Sequence, residues 1–307
     1  MSNVVIDQVL TTVVQGYVLA DAVGHHLFPT VPVSRSGGQV IEFTDRDFKL
    51  YQSQRARGAN TKRVDVGYQG KPYALELHSL EGKVPREDLR DSEQTSPSIK
   101  LGVRATNKPM RAMGLGLEVQ QAKIARDPNN YPDSNRLALS GSSKWTDETS
   151  SPLTDFETAR GVIRQQCGTD PNVVVFSPKA FKAFKNHPKV MARLGSTAHG
   201  KAVTPEMVAE LIEIDNVIIG KMVYFDETSN ETADVWGNDV VLAYTPSDGD
   251  RSRETPAYGY TYSMEGHPYA EPSYYDNNAK TFFYPVTHER VPVIAGIFAG
   301  YLMSNVA

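Results

Sequence analysis

Residues 40–77 read VIEFTDRDFKLYQSQRARGANTKRVDVGYQGKPYALEL, and this stretch decides the fold. Its two ends, Val40-Ile41-Glu42-Phe43 and Tyr73-Ala74-Leu75-Glu76-Leu77, have the β-branched, aromatic and aliphatic make-up of short strands. Between them Lys49 to Lys71 changes character. Arg55, Arg57, Lys62 and Arg63 stand against the single carboxylate Asp65, with Gly58, Asn60 and Gly70 among the spacers. Val64 and Val66 alternate with Arg63 and Asp65, a weak strand pattern. Two strands bridged by a basic, glycine-containing tip make a long hairpin that protrudes from the body. Such a hairpin has no core of its own and is marginal alone. It needs a second surface to lie on. The chain is net acidic (−4) although this tip is basic, so the remainder is more acidic still. That asymmetry favours another copy of the chain as the partner over a solvated loop or nucleic acid.

Working outward, Val5, Leu10, Val13, Val14 and Val18 recur at roughly helical spacing and predict a helix within Met1 to Val23. Pro29 and Pro32 then impose an extended path that ends at Gly37-Gly38. An arm of this kind has little of its own to pack against. On the other side, Ser98 to Arg126 turns helical, with Ala112, Leu115, Leu117, Val119, Ala122 and Ile124 apolar and Glu118, Gln120 and Gln121 polar. Pro109 costs about 3 kcal/mol inside a helix and Gly114 and Gly116 about 1 each, so the helix is expected to bend or to begin late. Asp127-Pro128 ends it. Asn130 to Ser151, rich in Ser, Asn, Asp and Thr, reads as a linker anchored by Trp145.

The second half is a compact unit of helices and strands. Thr154-x-x-Glu157 is a capping box, followed by Phe156, Ala159 and Ile163 on one face. Asn172 to Phe176 is a buried-type strand. Ser177-Pro178 and Thr204-Pro205 each open a helix with a hydroxyl cap and proline at the first position. Val217 to Ile219, Met222 to Phe225, Val240 to Tyr244, Tyr258 to Met264 and Thr281 to Thr287 read as strands. The class is α+β.

Composition bounds the function. Hydrophobic residues make up 40% and charged residues 22%, the balance of a globular chain, and the acidic sum argues against a dedicated nucleic-acid binder. No apolar run reaches the ~20 residues that cross a bilayer, and Met1 to Gly24 lacks a basic leader, so no membrane partner is expected. The lone Cys167 reads as a small buried apolar residue. Gly114-x-Gly116 lacks the third glycine and the preceding strand of a dinucleotide loop. His25-His26 has no further metal-type ligand nearby, and Asp45-x-Asp47 and Asp248-x-Asp250 lack the rest of a calcium loop. His187 before Pro188 suits a helix end. No catalytic, cofactor or metal residue is assigned. The one site proposed is the inter-subunit contact at Arg55, Arg57, Lys62 and Arg63.

From Lys144 onward an ordered series of phrases resembles the major capsid proteins of tailed bacteriophages. They are Lys144-Trp145-Thr146-Asp147, Pro152-Leu153-Thr154-Asp155, Val173-Val174-Val175-Phe176-Ser177, Lys185-Asn186-His187-Pro188-Lys189, and Thr204-Pro205-Glu206 with Leu211. Val217 through Tyr224, Val235-Trp236-Gly237-Asn238, Tyr258-Gly259-Tyr260-Thr261-Tyr262 and Tyr274-Tyr275-Asp276 continue the series. Each phrase is weak alone; their order is the specific feature.

The resemblance implies a Hong Kong 97-type capsid fold. Residues 1–38 would be the N-arm, 39–80 the extended loop (E-loop) hairpin with its flanking strands, and 81–152 a peripheral domain with a long spine helix and the linker. Residues 153–245 would be the axial domain, and 246–307 strands returning to the peripheral domain. The implied protein is a head subunit without enzymatic activity or cofactor. It would be assembled in the bacterial host cytoplasm into hexamers and pentamers of itself. Scaffold, portal and decoration proteins would be its further partners, and packaged DNA would be touched non-specifically. Its mild acidity suits DNA that is pumped in and must later leave. An encapsulin-like compartment, a tail or neck component and an α/β enzyme on residues 153–245 are the alternatives.

Overall fold

A computed structural model describes residues 6–41, 53–55, 57, 60–61, 70–93, 100–195, 203–246 and 257–307. Two sheets and one long helix organise them. The larger sheet is built on β14 (Thr281–Ile294), whose fourteen residues pair along one whole edge with β4 (Glu76–Pro85), from Thr281↔Pro85 to Arg290↔Glu76. The other edge of β14 takes β11 (Gly259–Met264), β12 (Tyr269–Ala270) and β13 (Tyr274–Asp276) in succession. β1 (Thr30–Val33) adds itself parallel to β11.

Helix α3 (Leu101–Arg126) lies against β4 and β14. It begins at Leu101 and continues through Pro109, where a bend or a late start was expected. The reason lies across the packing interface. Pro109 has no N–H, so the carbonyl four residues back, Ala105, loses its helical donor. Gly82 of β4 packs directly on that carbonyl, so closely that a Cβ there would sit 1.9 Å from the Ala105 oxygen. A proline in the helix and a glycine in the strand are thus two halves of one contact. Weak Cα–H···O contacts of this kind recur where backbones approach closely.

The smaller sheet has the order β5-β15-β10-β6-β7, formed by Arg136–Ala138, Gly300–Ser304, Val240–Ala243, Val173–Phe176 and Asn216–Ile219. β6 and β10 are buried at every residue, as strands covered on both faces are. Around it pack α4 (Pro152–Cys167), α5 (Pro178–Asn186), α6 (Pro188–Leu194) and α7 (Pro205–Ile212). The centre of this unit is aromatic. Trp145, Phe156, Phe176 and Phe184 meet in tilted and edge-on pairs with centroids 5.3–6.4 Å apart, each pair contributing ~0.5–1.5 kcal/mol beyond its buried area.

Several local expectations change. The N-terminal helix is confined to α1 (Gln8–Gln15), capped by the Asp7 carboxylate on the Leu10 amide at 3.0 Å. The segment is not without packing of its own. Val14 is buried with Met110, Met113, Ala270 and Val286, and Leu27 and Phe28 are fully buried in the main core. Helix α4 starts at Pro152 after Ser151 rather than at a Thr154–Glu157 capping box; Pro152 pre-sets the first helical φ, so the helix begins before Thr154. Ser177 and Thr204 do cap α5 and α7, accepting from the Ala180 and Met207 amides. Residues 130–151 carry the expected anchor, Trp145 at 1% exposure, but also supply β5, which pairs with β15. The strands after 246 divide, because β11 to β14 build the larger sheet while β15 enters the smaller one.

Glu118 is the largest departure. Expected on the polar face of α3, it is 1% exposed. Its carboxylate accepts the amides of Val23 and Gly24 at 2.9–3.2 Å and the Trp236 indole N–H at 2.7 Å. A Cβ at Gly24 would meet Gln121 and Glu118 side-chain atoms at 2.2–3.0 Å, so a larger residue there would have to displace them. One buried charge therefore joins the N-terminal segment, the long helix and the unit around the smaller sheet. Tyr131 and Tyr258 make a second such link through a buried hydroxyl–hydroxyl hydrogen bond, with Tyr131 also donating to the Ala125 carbonyl.

Candidate interaction surfaces

The hairpin has its stem. β2 (Gly37–Ile41) pairs antiparallel with β3 (Gly70–Ala74), from Gly37↔Ala74 to Ile41↔Gly70, so residues 42–69 leave from one end of a two-stranded ribbon. What roots the ribbon is aromatic stacking. The Tyr73 ring lies on Tyr262 of β11 with centroids 4.2 Å apart and planes 9° from parallel. Val40 is buried with Val33, Tyr260 and Tyr262 in a small separate core. Leu75 follows β3 and donates its amide to Ser36 at 2.7 Å, and the chain passes straight into β4. The stem is thus tied to the body through Tyr73, Val40 and Leu75.

Arg55 and Arg57 are exposed, and the Arg55 guanidinium donates to the Thr61 hydroxyl at 3.4 Å. Lys62 and Arg63, with Val64 and Val66, lie outside the described residues, so the four cations of the expected tip are not seen together.

Two further surfaces went unread in the sequence. β8 (Val223–Asp226) and β9 (Glu231–Asp234) form another two-stranded ribbon separate from both larger sheets. Val223 and Phe225 project from one face of it, 48% and 58% exposed. The turn is held by Asp226, which accepts from the Thr228 amide at 3.0 Å and the Ser229 hydroxyl at 3.1 Å. On α5 Lys182 is exposed and Lys185 half-buried, and on α6 Lys189 and Arg193 are exposed, with the Lys189 ammonium held by the Thr149 and Ser150 carbonyls and the Ser151 hydroxyl. The signal available for both was local charge: residues 179–193 hold five bases and no acid, and 223–234 four acids and no base.

The chemistry-bearing residues fall elsewhere. Cys167 is buried, and burial pushes its thiol up to about 11, which keeps it protonated at neutral pH. The His25 and His26 rings lie against each other, tilted by 36° with centroids 4.0 Å apart, at the surface. Among the described residues no group of three or more His, Cys, Asp or Glu side chains could hold a metal ion. Asp45, Asp47, Asp248 and Asp250 lie outside the described residues. Gly114 and Gly116 are inside α3, not in a phosphate-type loop, and Gly114 sits beneath Leu19. His187 is buried between α5 and α6. Its Nδ1 caps α6 by accepting the Lys189 amide at 3.2 Å, and its Nε2 lies 3.1 Å from the Asp147 carbonyl. Ribbons and helix faces are the exposed surfaces described above. No helix among the described residues is long and apolar enough to cross a membrane.

Comparison with known proteins agrees with this picture. Residues 127–282 match the family model described as phage major capsid protein E. The major capsid protein of Burkholderia phage BcepMu is 31% identical over 306 residues, 98% of this chain and 97% of that protein. A phage-related protein from Bordetella bronchiseptica RB50, known as a crystal structure, superposes with a TM-score of 0.86 at 39% identity, covering 99% of each chain. The mature capsid subunit of bacteriophage PhiM1 shares the fold, with a TM-score of 0.54 at 12% identity over 95% of this chain and 90% of that one.

Proposed function

This chain belongs to the phage major capsid protein family, and from that premise we infer how its parts serve the shell. It is a head subunit of the Hong Kong 97-type fold, part of the virion, and it assembles with copies of itself into a closed coat. The finer reading is that the 42–69 extension crosses onto a neighbouring subunit through Arg55, Arg57, Lys62 and Arg63, within hexamers and pentamers. The observation that carries it is the β2–β3 stem. It is rooted by Tyr73 on Tyr262, yet it carries twenty-eight residues beyond its last pair, Ile41↔Gly70. A ribbon of this kind gains its stability from a surface it does not itself possess. Acidic surface on the next copy is the natural complement to the basic tip.

The proposed division follows from this: an N-arm over 1–38, the E-loop and its strands over 39–80, a peripheral domain over 81–152, an axial domain over 153–245 and returning strands over 246–307. The role is structural and includes no catalytic step; the protonated, buried Cys167 supports that reading. Assembly takes place in the host cytoplasm with scaffold, portal and decoration proteins. The mildly acidic subunit touches packaged DNA without reading its sequence.

The test replaces Arg55, Arg57, Lys62 and Arg63 together with Glu and images the purified full chain by negative stain. Folded subunits that no longer form shells are expected. Shells of normal shape and yield would show that the tip is a solvated loop.

A further inference from the structure

We propose that the β8–β9 ribbon of one subunit docks on the α5–α6 face of the next copy, making a head-to-tail contact that closes a ring. The inference rests on the shell-subunit reading above and gives it a second, specific interface. Three observations meet in it.

The first is the ribbon itself. It pairs with neither larger sheet, and residues two apart on β8 share a face, so Val223 and Phe225 form one exposed apolar patch. Half-buried Tyr224 faces the other way, onto the core. The second is charge. The same ribbon carries four acids and no base: Asp234 pairs with Val223 on the patch side, Asp226 and Glu231 pair with each other on the opposite side, and Glu227 lies in the turn. Residues 179–193 carry Lys179, Lys182, Lys185, Lys189 and Arg193 with no acid. Among the described residues one ion pair joins the ribbon to this face within the chain, Lys179 Nζ to Asp234 at 3.4 Å. Lys182, Lys185 and Arg193 pair with no carboxylate among the described residues. The third is shape. A groove of about 440 Å³ opens beside α5 between Trp145, Lys182, Ala183, His187 and Pro188, with Glu148 at its rim. It offers an apolar floor and cationic edge to a side chain such as Phe225.

A basic face alone would suit phosphate equally well. The matching acidic ribbon with two apolar anchors in the same chain favours protein, because nucleic-acid phosphate makes no use of Phe225 or Val223. The two surfaces differ, so the contact is heterologous, and a heterologous contact repeated by rotation closes into a ring. A shell of repeated subunits needs such rings.

The test is a charge swap in the full chain, read as the yield and form of sedimenting particles by electron microscopy. One variant carries Glu227→Lys and Glu231→Lys; another carries Lys182→Glu and Lys185→Glu; a third carries all four. Asp226 is left in place because it holds the turn. None of the four changed residues is in the core, so circular dichroism and melting should match the parent. Each two-site variant is expected to lose particles by roughly tenfold or more, and the four-site variant to recover most of that loss. Co-expressing the two-site variants should give rings in which they alternate. Such rings close with an even number of subunits, so hexamers form and pentamers do not.

Equal yields from all variants, or a four-site variant no better than its parents, would overturn the contact. So would a Lys182→Glu/Lys185→Glu variant that builds normal but DNA-free shells, since the face would then serve nucleic acid. A wild-type chain giving neither rings nor shells would remove the shell reading and this contact together, whereas shells from every variant would remove this contact alone.

Discussion

Replacing Glu118 by Gln should cost the subunit about 3–4 kcal/mol, and the structure shows where the loss arises. The carboxylate is buried and receives three donors: Trp236 Nε1 on Oε1 at 2.7 Å, the Gly24 amide nearest Oε2 at 2.9 Å, and the Val23 amide shared by both. Glutamine has the same shape but only one acceptor oxygen. Whichever way its amide turns, an NH2 group faces either the indole N–H or the Gly24 amide. Hydrogen bonds to a charged group contribute about 1.5–3 kcal/mol, and a buried donor left without a partner costs about 1–3 more. A loss of ~3–4 kcal/mol is a large part of the ~5–15 kcal/mol that holds a typical domain. Urea unfolding of the unassembled subunit measures it directly. Hydrogen exchange locates it: the Val23 and Gly24 amides, protected in the parent, should exchange near the rate of a loop in Glu118→Gln. Trp236→Phe removes one bond and also shrinks a fully buried side chain, so its cost contains a cavity contribution besides the bond, with the double variant less than additive because both changes act on one carboxylate. A Glu118→Gln variant within ~0.5 kcal/mol of the parent, with both amides still protected, would refute the assignment of this charge as the anchor.

Three other outcomes follow from the packing. Tyr73→Ala removes the stack on Tyr262, worth ~0.5–1.5 kcal/mol beyond its area, and should leave the body's unfolding midpoint nearly unchanged while accelerating proteolysis within 42–69; unchanged cleavage would mean the stem is rooted elsewhere. Gly82→Ala drives a Cβ into the Ala105 carbonyl and should destabilise by roughly 3 kcal/mol or more, read in urea; a change under ~0.5 kcal/mol would show that α3 can simply slide. Burial, helped by the charge of Arg290 and by His267 and His78, pushes His288 down to about 3. Its folded value lies below the unfolded one of ~6.5, so its contribution is complete above that pH and is lost as pH falls toward 3, at up to ~1.4 kcal/mol per pH unit. His288→Gln should flatten that fall, and identical acid slopes for parent and variant would exclude His288 as the titrating group.

What the sequence revealed and what it hid have physical reasons. Ser177-Pro178 and Thr204-Pro205 were readable because a capping hydroxyl and a φ-fixed proline act within four residues. The ribbon around residues 40–74 was readable because strand chemistry, glycine and uncompensated bases fall together there. Glu118 was not: nothing near it in sequence shows that two backbone amides and an indole from distant segments will converge on it. Pro109 was legible as a gap in the helical ladder, but its neighbour Gly82 was not, since that residue is supplied by a strand. The N-terminal segment looked unpartnered because its partners, Met110, Ala270 and Val286, lie far along the chain. At the candidate surfaces, summing charge over the whole chain concealed two short blocks of opposite sign, 179–193 and 223–234, that the fold leaves at the surface.

The order β5-β15-β10-β6-β7 places residues 300–304 between strands that begin at 136 and 240. Val241 and Leu242, fully buried, take their partners on one side from Leu302 and Tyr301. A ribosome that has not yet delivered residue 304 therefore holds a chain whose smaller sheet lacks an inner member. Such a chain cannot present the finished surfaces around that sheet to a neighbour. The inner strand of the smaller sheet is supplied by residues more than fifty positions beyond its partner β10 and more than one hundred and fifty beyond β5.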